Sequence, residues 1–178
     1  MTNDGKKIWI QKGYDVFALA GHGDLKVERL AKAVDVSKSS FYHYFADLEL
    51  FVEALLKYHI EQSYVIAEKE RQAKNIDPEL IHILIEHKTD LLFNRQLRIN
   101  QHIPAFATIL QQSNRIVGDS FTKVWLEDTG LKLSPRQTES IFTLALENFY
   151  LQINAENLHY DWLSTYFKNL NSLTKNLI

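Results

Sequence analysis

Apolar residues recur at intervals of three and four along almost the whole of this 178-residue chain, and no alternating run of period two lasts beyond a few residues. A half-buried strand needs that alternation, whereas an amphipathic helix needs the wider spacing. The pattern therefore predicts an all-α fold. Punctuation is sparse, with three prolines and six glycines, and it falls where helices should start or stop. Ser134-Pro135-Arg136-Gln137 has capping-box spacing with proline at the first helical position, and Gly130 ahead of it can end the preceding helix. Asp77-Pro78 reads as a second N-cap followed by proline. Helices are expected over roughly 6–20, 26–33, 37–43, 47–73, 78–93, 96–111, 114–129, 135–155 and 160–176. Three short helices followed by longer ones describe a small head, residues 1–46, on a larger helical body, residues 47–178.

The head carries the chemistry. Val27, Leu30 and Val34 flank the small Ala31 at helical spacing, as the first helix of a helix-turn-helix requires where a second helix crosses it. Asp35 stands at the turn, one of the few residues other than glycine that visits positive φ. Val36 is expected to plug the core beneath the turn, Ser37 to cap the second helix, and Phe41, Tyr44 and Phe45 to face inward. Lys38, Ser39, Ser40, Tyr42 and His43 then point outward. None is acidic, which suits a groove lined with phosphates and base edges. The net charge is −2, which speaks against nonspecific coating of DNA. Up to Asp47 the lysines and arginines nevertheless outnumber the acids by one, and phosphate contact needs only a local basic face.

Gly13-x3-Phe17-x3-Gly21, Val27-Glu28-Arg29-Leu30-Ala31-Lys32-Ala33 and Val36-Ser37-Lys38-Ser39-Ser40-Phe41-Tyr42-His43-Tyr44-Phe45 together resemble the N-terminal signature of the TetR family of bacterial repressors. The resemblance covers about a quarter of the chain. It implies a transcription regulator that binds a palindromic operator in double-stranded DNA as a homodimer and answers to a small molecule. Val27–Ala33 become the supporting helix and Ser37–His43 the recognition helix. Tyr42 and His43 match positions that commonly touch phosphates; Lys38 and Ser40 match positions that approach base edges or backbone. Lys26 stands where a threonine or serine usually caps the supporting helix, so that Asp24 is left to cap and Lys26 to reach a phosphate. Asp35 replaces the usual turn glycine, and Leu48 a lysine that often opens the fourth helix.

In the body, the segment Ile141–Leu151 is apolar almost all round, and Trp162, Leu163, Tyr166, Phe167, Leu170 and Leu173 form a stripe. With the resemblance, Ile141, Leu144, Asn148, Leu151, Trp162, Tyr166 and Leu170 become the candidate dimer interface. Phe93, His102, Phe106, Phe121, Trp125 and Tyr150 are the candidate ligand pocket.

Other classes find less support. The chain has no cysteine, which excludes disulfides, zinc fingers and thiol nucleophiles. No Gly-rich phosphate loop occurs, and His82 and His87 lie five apart, off the zinc-protease spacing. No cofactor or enzymatic activity is expected. Without a signal-like N-terminus or a long apolar run, no membrane contact is expected and the cytoplasm is the expected compartment. Glu79-x-x-His82 and Glu156-x-x-His159, with Glu53 and Glu127, imitate a ferritin-like di-iron set. They lie at helix ends, however, whereas bundle-core ligands lie mid-helix. A helical protein-binding adaptor is the remaining alternative, favoured if the face with Lys38, Tyr42 and His43 is uncharged or buried against the body.

Overall fold

Helical spacing in the sequence is realised as a succession of α-helices. The computed structural model describes residues 3–176, among which there is no strand. The helices are α1 (Asn3–Ala20), α2 (Val27–Ala33), α3 (Lys38–Tyr44), α4 (Leu48–Gln72), α5 (Ile81–Glu86), α6 (Lys88–Ile99), α7 (Pro104–Thr129), α8 (Pro135–Gln152) and α9 (Tyr160–Asn176). They group into two compact units. One runs up to Gln62 and takes in Thr89–Ser113; the other takes Ser63–Lys88 and Asn114 onward.

The first unit is built on aromatic packing. Trp9, Phe17, Phe41, Phe51, Leu30 and Leu55 are all fully buried. The Phe41 ring meets Trp9, Phe45 and Phe51 at centroid distances of 5.3, 5.2 and 5.2 Å, a range in which each ring pair adds about 0.5–1.5 kcal/mol beyond area burial. α1 reaches α4 through Gly13, where a Cβ would lie 2.2 Å from the Phe51 ring. Gly21 ends α1 with φ of 84°, the left-handed exit open to glycine.

In the second unit Phe121 packs against Phe142 and Phe167, and Phe149 against Trp162 and Tyr166. The Tyr166 hydroxyl donates to the Ala145 carbonyl at 3.0 Å, tying α9 to α8. The Trp125 indole donates to Asn171 Oδ1 at 2.9 Å, tying α7 to α9. Ser134 forms the expected capping box with Gln137, and Gly130 ends α7 at φ 65°.

Several helix boundaries differ from the sequence reading, and α6 runs unbroken through the gap expected at 94–95. Asp77 does not supply the side-chain cap: its backbone is extended, as an N-cap requires, but its carboxylate accepts from Ser164 Oγ at 2.6 Å and from the Tyr160 hydroxyl. The cap is Asn75, whose side chain accepts from Glu79 N, while the Glu79 carboxylate returns to Lys74 N and Asn75 Nδ2. The expected 78–93 helix breaks at His87, whose φ/ψ of −98°/27° leaves the helical region. The expected break near 112 is absent, and α7 runs straight through it. Ser113 is buried there because its hydroxyl donates to the Leu110 carbonyl and accepts from Asn94 Nδ2. A mid-helix serine that satisfies itself this way does not interrupt the ladder. The true start is Pro104, which restricts Ile103 before it and needs no N–H of its own.

Candidate nucleic-acid interface

α2 and α3 form a helix-turn-helix around Val27, Leu30, Ala31, Phe41 and Phe45, each at most 8% exposed. Asp35 holds the turn at φ 54°, as the sequence predicts. Val36 does not plug the core. It is 40% exposed, and the interior is filled instead by Leu30 and Phe41. Tyr44 is half-buried, its hydroxyl against Gly5, where a Cβ would fall 2.2 Å away.

The caps also differ from expectation. Ser37 has N-cap backbone geometry but makes no side-chain cap; its hydroxyl pairs with Ser39 Oγ at 2.8 Å. Asp24 does not cap α2 either, because its carboxylate is held by Arg29 at 2.7 Å, and Lys26 occupies the uncapped N-cap position.

Lys26, Ser37, Lys38, Ser39, Tyr42 and His43 are exposed, and Ser40 is half-buried. Tyr42 is 57% accessible. The face is not free of acid, however. Glu28 of α2 accepts from Lys38 Nζ at 2.6 Å, and this hydrogen bond holds its carboxyl below the ordinary range. Glu28 was missed because it lies ten residues away on the other helix, and nothing in the spacing of α3 announces it.

The ligand candidates divide between the two units. Phe93 and Phe106 belong to the first unit, where Phe93 stacks on Tyr14 and Phe17 at 4.2 and 4.1 Å and Phe106 meets Phe17 edge-on. Phe121, Trp125 and Tyr150 belong to the second, and His102 is exposed. A groove of about 480 Å³ opens between Leu56 and Ile60 of α4 and Ala105 and Ile109 of α7, and none of the six candidates lines it. The dimer candidates all lie on α8 and α9. Leu144 and Leu151 are 72% and 79% exposed, Asn148 is exposed, and Ile141, Trp162, Tyr166 and Leu170 are half-buried.

Two buried polar features escaped the sequence reading. The Tyr14 hydroxyl donates to Asp90 Oδ1 at 2.7 Å and lies 2.7 Å from His59 Nδ1. A hydroxyl has one hydrogen, so His59 Nδ1–H donates to Tyr14. Burial pushes the His59 imidazole down to about 4, against the pull of Asp90. In the second unit Glu70 is fully buried, neither carboxyl oxygen is hydrogen-bonded, and burial raises its pKa to about 8.

The di-iron pattern does not assemble. The Glu79 carboxylate is used in the loop before α5, Glu156 and His159 are exposed ahead of α9, and no group of three or more potential ligands occurs among the described residues. Nor is any described helix long and apolar enough to cross a membrane.

Comparison with known proteins agrees with this geometry. Residues 10–55 match the family model of bacterial regulatory proteins, tetR family. Salmonella enterica GusR has a similar fold, with a TM-score of 0.61 and 19% identity over 98% of each chain. No curated protein matches the chain.

Proposed function

We propose, from the match of residues 10–55 to the tetR family model, that the chain is a TetR-family DNA-binding regulator, a homodimeric repressor released from a palindromic operator by a small molecule. Residues 1–46 serve as the DNA-binding domain and residues 47–178 as the regulatory and dimerisation domain. The carrying observation is the exposed face of α3, where Lys38, Ser39, Tyr42 and His43 surround a recognition helix anchored by the fully buried Phe41. Recognition helices place their N-terminal residues at base edges in the major groove while neighbouring groups hold phosphates. Lys38 and Ser40 approach the bases in this reading; Lys26, Ser37, Ser39, Tyr42 and His43 hold the backbone.

One recognition helix reads too few base pairs to select a genomic site, so two copies are needed, about 34–36 Å apart or a multiple of that. The exposed Leu144 and Leu151, with Asn148 between them, support α8 and α9 as the pairing surface. The ligand binds within the helical body, and the protein carries out no catalytic step. With no membrane-spanning helix among the described residues, the cytoplasm is the proposed compartment. Selection of duplexes from a random library, followed by sedimentation of the complex, tests this. Enrichment of a palindrome bound by two chains is expected, and the absence of any enriched sequence would reject the reading.

A further inference from the structure

Glu28 and Lys38 join the two helices of the motif through one exposed ion pair, Nζ to Oε1 at 2.6 Å, with the side chains 67% and 55% accessible. Folding does not account for it, since a pair this exposed is screened and contributes little. Attraction to DNA does not account for it either. A carboxylate beside the recognition helix repels phosphates and cancels a lysine that would otherwise release counterions. What the pair creates is a donor and an acceptor fixed side by side at the first residue of α3, the end of a recognition helix that meets base edges. The ammonium has three N–H groups and gives one to Glu28; the carboxylate has lone pairs beyond the one Lys38 uses.

That order of groups has a complement in the major groove. A G·C pair presents N7 and O6 of guanine as acceptors and then N4 of cytosine as a donor. We propose that Glu28 and Lys38 act as one reading unit for a single oriented G·C pair in each half-site, with Lys38 donating to guanine O6 and N7 and Glu28 accepting from cytosine N4. This rests on the DNA-binding reading above. An A·T pair offers thymine O4, a second acceptor, where the carboxylate needs a donor. A C·G pair places its amino group beneath the ammonium. These two alternatives oppose like with like, and a T·A pair, although it keeps the acceptor–donor order at thymine O4 and adenine N6, sets the thymine methyl where Lys38 needs guanine N7, so the pair selects orientation as well as composition. Glu28 is then a specificity-determining residue supplied by the supporting helix.

The test uses the full-length chain and Glu28→Ala, Lys38→Ala and Glu28→Gln variants, each with a random duplex library and then with duplexes substituted one symmetric position at a time. The wild type is expected to require G·C in one orientation at one position of each half-site, by about 5- to 150-fold over the other pairs. Glu28→Ala and Lys38→Ala lose the preference at that position and at no other. Glu28→Gln, which keeps a carbonyl acceptor, retains part of it. A Glu28→Ala chain that still prefers G·C there overturns the proposal. So does one that binds every duplex more tightly by a common factor, because Glu28 would then act only as a nearby negative charge. A wild-type chain that enriches no duplex removes the DNA-binding reading itself and this proposal with it, a result told apart at the first arm.

Discussion

Asp35 is the one described non-glycine residue with positive φ, at 54°, and single residues of this kind set much of what the chain tolerates. The left-handed region costs an L-residue with a Cβ roughly 1–2 kcal/mol, less for aspartate, whose short side chain can bond locally. Asp35→Gly should therefore be neutral or stabilising by up to about 1 kcal/mol, and Asp35→Val destabilising by about 1–3 kcal/mol. Urea melts of both variants check this; equal midpoints would place the turn elsewhere. Gly13 makes the opposite demand, for absence of a side chain. Gly13→Ala sets a methyl 2.2 Å from the Phe51 ring, so the ring must move, at about 1–3 kcal/mol for overpacking. The same melts should show the loss.

Elements were legible in the sequence where their signals are local. The Ser134 capping box, Gly130 and Asp35 each depend on a few neighbouring residues, and each stands as read. The misplacements have a common cause, which is that the deciding partner is distant. Asp77 leaves the capping role because Ser164 and Tyr160, more than eighty residues on, claim its carboxylate. Ser113 stays inside α7 because Asn94 of α6 bonds it. Glu28 joins the recognition face because Lys38 of another helix holds it. The exposed face of α3 carries its own prediction: Tyr42→Ala should weaken operator binding by about 1–2 kcal/mol without changing helicity, since the side chain is 57% accessible. Titrations at two salt concentrations decide it, and an unchanged affinity and salt slope would exclude Tyr42 from the interface.

For the molecule as a whole, two buried ionisable groups shape stability against pH in opposite senses. His59 has a folded pKa of about 4, below its ordinary 6.5. Between those values the unfolded chain binds the proton and the folded chain does not, so stability falls as pH drops from 6.5 toward 4, by up to roughly 3 kcal/mol. Glu70 is raised from 4.5 to about 8. Here the folded chain holds the proton through that window, so stability falls as pH rises from 4.5 toward 8, by up to roughly 5 kcal/mol. Glu70→Gln, which imitates the protonated acid, should be more stable than wild type at pH 8, with the gap closing toward pH 4.5. Denaturant midpoints across that range measure it; parallel curves would mean Glu70 is ionised in the folded chain. At the proposed pairing surface, Leu144→Glu should yield monomers, because two like charges would be desolvated across a two-fold axis at a cost of several kcal/mol. Operator affinity should then collapse with no DNA-facing residue changed. Sedimentation and a binding titration on the same sample test this, and a monomer that bound the palindrome at wild-type strength would refute the dimeric model.

Leu144, Leu151 and Leu173, at 72%, 79% and 62% exposure, have a consequence for dosage. If two copies must meet to cover these leucines before either can grip DNA, operator occupancy at low abundance rises with the square of the number of chains. Halving the pool, as at each cell division, would then cut occupancy about fourfold rather than twofold. A switch built this way counts its own molecules and responds to dilution, before any effector arrives.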